Sequence, residues 1–247
     1  MEDNPFSLKG KNILVTGASS GIGRGISIAC ARMRGTILLN GRNTTRLNET
    51  LSMLDGQGHA IFPADLTEED ERSHLVDSLP QLDGVVHCAG VNIRRKMCKQ
   101  LVKPDLQSVM GINFDAPVLL QAQLLRKRKV KEHASIVFIS SLAVDYPIVA
   151  NSVYSASKGA ITSYANCLSL ELAPRRIRVN SIHPAMIMTD MVFSGGFGEE
   201  EFKADEQLYP LKRYGTPEDI AWLVVYLLAD VSDWMTGSHL NITGGLR

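Results

Sequence analysis

Thr16–Gly23 reads TGASSGIG, and the residues on either side of it decide the fold. Upstream, Asn12–Thr16 (NILVT) is an apolar run of strand length. Downstream, the pattern from Gly21 to Met33 has helical spacing. Between them Gly17, Gly21 and Gly23 stand in a GxxxGxG arrangement, with Ile22 between the last two. Glycine permits a tight turn and lets backbone approach a ligand closely. A helix starting there offers free N–H groups and the positive end of its dipole to a phosphate. Ser19 and Ser20 add hydroxyl donors. A glycine turn between a strand and a helix reads as a nucleotide-binding loop rather than a merely structural turn.

The same alternation continues along the chain. Thr36–Asn40 (TILLN), His59–Pro63, Leu82–His87, Ser135–Ser140 (SIVFIS), Ile177–Ile182 and His239–Thr243 read as strands. Helical patterns cover Thr44–Leu54, a segment capped by Thr67, roughly Pro104–Arg126, Asn151–Leu172 and Pro217–Leu228. Thr216 caps the last of these, with Pro217 at its first position. Continuous apolar strands separated by helices predict an α/β fold. The expected form is one doubly wound Rossmann domain over residues 1–247, a parallel seven-stranded sheet with helices on both faces. Phe193–Glu206 (FSGGFGEEEFKADE) breaks the rhythm with three glycines and an acidic run. It is either a solvated loop or, within 190–206, a lid over a substrate cleft.

The 247 residues balance 26 Lys+Arg against 26 Asp+Glu, so no global charge favours nucleic acid or an anionic membrane. The apolar run near Ile220–Ala229 is about half a bilayer span. The N-terminal MEDNPFSLKG lacks an apolar signal core. Cys30, Cys88, Cys98 and Cys167 have no CxxC spacing and read as reduced thiols. A cytoplasmic protein is expected, with no metal site and no nucleic-acid or membrane partner.

The end of the second strand bears on the nucleotide. A carboxylate there holds a ribose 2′-hydroxyl in NAD sites. This chain has Asn40, Gly41 and Arg42 instead. Arg42 is either a solvated surface arginine or the partner of a 2′-phosphate, which favours NADP(H).

Tyr154 and Lys158 stand at i and i+4 in YSASK, on one face of the Asn151–Leu172 helix. A phenol is a poor base near neutrality, and a neighbouring ammonium lowers its pKa. Such a pair can act as a general acid/base. Ser141 follows the fifth strand, where its hydroxyl can bond a substrate carbonyl.

With these residues the chain resembles the short-chain dehydrogenase/reductase family over nearly its whole length. Thr16–Gly23 matches the family's TGxxxGIG loop, Asn113 in MGINFDAP its helix asparagine, and Ser141, Tyr154 and Lys158 its catalytic set. The resemblance implies that Asp65 and Leu66 contact adenine. It implies that Cys88, Ala89 and Gly90 give close backbone approach, and that Pro184–Thr189, including Ile187 and Thr189, holds the nicotinamide amide. Tyr154 then gives a proton to the substrate oxygen and Ser141 orients the carbonyl. Lys158 lowers the phenol pKa and binds the nicotinamide ribose, and Asn113 holds a water linked to Lys158. His87-Cys88, Ala185 and Thr243 depart from the family's pattern without removing a catalytic residue. His183 reads as a packing residue. Relatives are commonly tetramers or dimers built through the helices carrying Asn113 and Tyr154, so a homo-oligomer is expected.

The substrate end should be lined by Leu142–Asn151, by Met186–Phe193 and by the loop after Gly90. Leu142, Val144, Tyr146, Ile148, Met186, Met188, Val192 and Phe193 suit an apolar ketone or acyl group. Basic clusters at Arg94–Lys96, Arg175–Arg178 and Arg126–Lys131 are either solvated surface or a dock for an acidic carrier. The resemblance to 3-oxoacyl carrier-protein reductases suggests a carrier-bound thioester substrate. A sugar, polyol or steroid alcohol, or a non-catalytic NADP sensor, are the alternatives.

Overall fold

The computed structural model describes residues 4–189 and 199–246. Seven strands form one parallel sheet: β1 Asn12–Val15, β2 Thr36–Gly41, β3 Ala60–Pro63, β4 Leu82–His87, β5 Val130–Ile139, β6 Arg178–Pro184 and β7 His239–Ile242. Their spatial order is β3-β2-β1-β4-β5-β6-β7, and every neighbouring pair is parallel. The helices between them are α1 Gly21–Arg32, α2 Thr44–Ser52, α3 Glu69–Ser78, α4 Lys103–Met110, α5 Ala116–Arg126, α6 Ser152–Leu172, α7 Glu199–Glu206 and α8 Pro217–Leu228.

Alternation along the strands places a core on each face of the sheet. Ile13 and Val15 pack with Ile26 and Cys30 of α1 and with Ile220 and Val224 of α8. Leu14, between them, packs on the other face with Leu120 and Leu124 of α5 and Ile161 and Leu168 of α6. The strand order reverses at β1, whose neighbours are β2 and β4. A crevice opens beyond the carboxyl ends of the strands at such a switch point. The candidate site residues gather there.

Four details differ from the sequence expectation. The helix expected over Pro104–Arg126 is two helices joined by a π-turn at Gly111–Asp115. Strand β5 starts at Val130 rather than Ser135, through an irregular register against β4. Thr67 does not cap α3, which begins after Glu68. Its N–H and hydroxyl both donate to Asp65 Oδ1 instead. Residues 190–198 of the segment read as either loop or lid, with Val192 and Phe193, lie outside the described residues; Glu199–Glu206 is the helix α7 rather than loop. No helix among the described residues is long and apolar enough to cross a membrane.

Candidate active site

One cleft of about 1170 Å³ is lined by Gly17, Ser19–Gly23, Arg42, Asp65, Leu66, Cys88–Gly90, Ser141, Tyr154, Lys158, Ile187 and Thr189. These are the residues the sequence singled out, Asn113 excepted. Asn113 stands behind the wall, where its amide holds the backbone of Val91. Val91 N–H donates to its Oδ1 at 2.8 Å, and its Nδ2 donates to Val91 O at 2.9 Å.

At one end the phosphate loop passes over the loop that follows β4. Gly17 has φ +67°, and a Cβ there would lie 2.8 Å from Ala89 Cα. Thr16 locks the two loops from below, its hydroxyl oxygen accepting from the N–H groups of Cys88 and Ala89 at 3.0 and 3.1 Å. Cys88 thus meets the phosphate loop through its backbone N–H. Ser20 is the N-cap of α1 but makes no side-chain cap bond. The first N–H groups of a helix have no intrahelical partner, so this end suits a pyrophosphate. The absence of a side chain at Gly17 and the free helix start both fit a nicotinamide dinucleotide.

At the adenosine end, Asn40 is committed to structure, its amide donating to Phe62 O at 3.0 Å. No carboxylate stands at the tip of β2. Arg42 lies 3.5 Å from Asp65, whose carboxyl is held below the usual range chiefly by Thr67, then by Arg42, against the opposing effect of burial. Arg46, which the sequence reading passed over, lines the same end. Its signal was available: it follows Arg42 by four residues, just inside α2.

At the other end Ser141, Tyr154 and Lys158 converge. Tyr154 and Lys158 share the first turns of α6, and the Lys158 ammonium lies 5.8 Å from the Tyr154 ring centre. Lys158 Nζ donates to Ile139 O at 2.8 Å rather than to the phenol. Burial pushes the Lys158 pKa down to about 8. Burial also raises the Tyr154 phenol, opposed by its hydrogen bond with Ser141. The sequence expectation that the ammonium lowers the phenol pKa is therefore not met in the protein alone, where the lysine is turned to the β5 carbonyl. A Cβ on Gly90 would lie 3.3 Å from Asn113 Oδ1 and 3.4 Å from Lys158 Nζ, so both side chains close on this glycine.

The substrate end is walled by Leu142, Ala143, Tyr146, Ile148 and Met186, by Ile93 to Arg95, and by three residues the sequence did not indicate: Ile112, Tyr209 and Leu246. Ile112 belongs to the π-turn, and Tyr209 and Leu246 come from distant loops that only the fold brings in. Val144 and Met188 do not line it. Of the basic clusters, Arg178 is a core residue. Its guanidinium is buried, bonding Ser232 Oγ at 2.9 Å and Ala229 O at 3.2 Å. Lys127 pairs with Asp77 at 2.8 Å, Lys131 with Asp83 at 2.9 Å and Lys96 with Asp105 at 2.7 Å. Arg94 and Arg95 are exposed and line the cleft.

Comparison with known proteins agrees with this geometry. The sequence profile of the family described as Enoyl-(Acyl carrier protein) reductase matches residues 17–247. The chain is 30% identical over 241 residues to 3-oxoacyl-acyl-carrier-protein reductase FabG of Rickettsia prowazekii, covering 98% of each. It is 33% identical over 247 residues to glucose 1-dehydrogenase of Gluconobacter oxydans, covering 96% of this chain and 92% of that one. A crystal structure of a short-chain dehydrogenase/reductase described as glucose/ribitol dehydrogenase, from Brucella melitensis, superposes with a TM-score of 0.90 at 28% identity over 98% of both chains. The chain belongs to the short-chain dehydrogenase/reductase family. It is an oxidoreductase of CH–OH and C=O groups that uses a nicotinamide cofactor.

Proposed function

We propose that the protein is an NADP(H)-dependent reductase of a carbonyl group, or in reverse a dehydrogenase of a secondary alcohol. The observation that carries this reading is one cleft with Arg42 and Arg46 at one end and Ser141, Tyr154 and Lys158 at the other. The nicotinamide, when bound, supplies or accepts the hydride. Tyr154 Oη gives a proton to the substrate oxygen as charge develops there. Ser141 Oγ, which stands close enough to the phenol to hold its pKa down, turns its proton to the same oxygen and fixes its direction. Lys158 turns from the Ile139 carbonyl toward the cofactor ribose and stabilises the phenolate left behind. Asn113 holds the Val91 backbone and the π-turn in place beside Lys158 and orders a water that carries protons to solvent.

Ile93, Leu142, Ile148, Met186 and Leu246 make the substrate end largely apolar. With Arg94 and Arg95 at its edge, it favours a 3-oxoacyl thioester, free or on an acidic carrier, over a sugar or polyol. The fold also supports assembly into dimers or tetramers, since α4, α5 and α6 expose Leu106, Leu119 and Leu170.

The test is titration with NADPH and NADH, followed by a panel of 3-oxoacyl thioesters, simple ketones and sugars. Tighter NADPH binding and thioester reduction are expected. Tyr154→Phe should lose turnover by about 100-fold or more while binding NADPH as before. Tyr154→Phe with full turnover would end the assignment. A wild-type protein that binds NADPH and turns over nothing would move it to a sensor.

A further inference from the structure

His183, on β6, is buried yet belongs to none of the roles above. Its ring joins three elements. On α6, Nε2 lies 3.3 Å from Thr162 Oγ1, and that hydroxyl oxygen is also 2.8 Å from Lys158 O. Ser140 Oγ reaches the same Lys158 carbonyl at 3.1 Å. On its own strand, Nε2 lies 3.1 Å from Ser181 Oγ, which lies 2.6 Å from Nδ1 of the exposed His239 on β7. On the third side, Nδ1 has no partner at hydrogen-bond distance, and Asp145 Oδ2 stands 3.6 Å away. Asp145 closes the short turn that begins at Ser141, bonding back to Leu142 O. The cleft-facing residues Leu142, Ala143 and Tyr146 belong to this same turn.

The assignment of protons that serves both Thr162 and Asp145 has Ser140 donating to the Lys158 carbonyl, Thr162 donating to His183 Nε2, Ser181 donating to His239 Nδ1, and His183 keeping its own proton on Nδ1, aimed at Asp145. The opposite tautomer would set the Nδ1 lone pair against a carboxylate. The charged and titratable groups around the ring are Lys158 from α6, His239 from β7 and Asp145 from the turn. Burial, His239 and Lys158 hold His183 below its ordinary pKa against Asp145, which favours the neutral ring with a single N–H to place.

We propose that His183 is a positioning residue that couples the substrate-facing turn at Ser141–Tyr146, through Asp145, to the catalytic helix, through Thr162. It rests on the assignment of Ser141, Tyr154 and Lys158 as the reacting set. A turn drawn 0.6 Å or so toward the sheet completes the Asp145–His183 bond at ordinary hydrogen-bond length. The same movement carries Ser141 and Leu142, so a closed turn and an aligned Ser141 come together. His183 touches neither substrate nor the reacting atoms; its effect passes through Asp145.

The experiment has two arms. In the first, the six histidines are labelled with 15N, His183 is assigned with His183→Asn, and its tautomer is read by NMR in the wild type and in Asp145→Ala. An Nδ1–H ring that shifts toward Nε2–H in Asp145→Ala supports the coupling. An Nε2–H ring in the wild type, or one that ignores Asp145→Ala, overturns it without any need for turnover. In the second arm, His183→Phe, Asp145→Ala and the double variant are compared with the best ketone of the panel. Each single change should raise KM for the ketone about tenfold with NADPH binding unchanged, and the double variant should be no worse than either. Asp145→Asn, which keeps an acceptor oxygen, should recover most of the loss. Additive losses, or no recovery, would overturn the positioning role. Tyr154→Phe runs alongside: if it stays active, the catalytic assignment fails and the NMR result stands by itself.

Discussion

Arg42 and Asp65 face each other at 3.5 Å across the carboxyl ends of β2 and β3, so the arginine proposed to meet a 2′-phosphate already has an anion beside it. The Arg42 side chain is 66% exposed, and exposed pairs are worth about 0–1 kcal/mol. A dianionic phosphate is therefore expected to outcompete the carboxylate. Arg42→Ala should weaken NADPH binding by about 10- to 100-fold, the size of a lost charge-assisted bond, and change NADH by less than about twofold. Fluorescence titration with both nucleotides measures it. Equal losses for the two would show that Arg42 supports the loop rather than the phosphate.

Lys158 ties stability to pH in a direction that can be checked. Its folded pKa is about 8, against about 10.4 for an unperturbed lysine. Between these values the unfolded chain binds more protons than the folded one, so stability rises with pH across that window. Below about pH 8 the buried charge costs its full amount, on the order of 3 kcal/mol. Lys158→Met removes that dependence. Its Tm relative to wild type should be most favourable at pH 6–7 and fall away as pH rises from 8 to 10, while turnover collapses. Melting curves that keep a constant gap at all pH values would show that the lysine carries no burial cost.

The fold was legible because its signals are local. Seven apolar runs, a glycine turn and a capped α8 each declare themselves within a dozen residues, and the parallel sheet follows from their alternation. The candidate cofactor end could be drawn from the sequence for the same reason, since Gly17–Gly23 and Arg42 lie on consecutive elements. The misplaced features are those set by contacts between distant residues. Arg178 looked like a surface cation beside Arg175 and Arg176, but the carbonyl of Ala229 and the hydroxyl of Ser232 receive it inside. The π-turn around Asn113 leaves no mark in the apolar period. Tyr209 and Leu246 reach the cleft only through the path of the carboxyl-terminal segment. The direction of Lys158 was equally invisible, because its acceptor, Ile139 O, is backbone on another element.

Gly17 separates loop geometry from nucleotide choice. Its φ of +67° is strained for any residue with a side chain, and an added Cβ would press on Ala89 Cα at 2.8 Å. Gly17→Ala should cost about 2 kcal/mol or more in stability, since both surfaces are backbone and neither can turn aside. It should weaken NADPH and NADH alike, unlike Arg42→Ala. Chemical denaturation and paired titrations read both effects. Retained binding of either nucleotide with a lowered Tm would show that the loop is structural.

Ser141 has two duties that a pH profile can pull apart. Its oxygen accepts from Ala143 N at 3.1 Å, which shapes the turn, and its hydrogen bond with Tyr154 holds the phenol pKa down against burial. Ser141→Ala removes the only lowering influence resolved on that phenol, so the Tyr154 pKa climbs further. Alcohol oxidation needs the phenolate and should then reach its plateau at higher pH. At a fixed neutral pH kcat should fall by about 100-fold, combining that shift with the lost donor to the substrate oxygen. Ser141→Thr keeps the hydroxyl and should restore the wild-type profile in part. If Ser141→Ala lowers kcat but leaves the profile where it was, the serine acts on the substrate alone and the phenol is tuned by the cofactor-side position of Lys158.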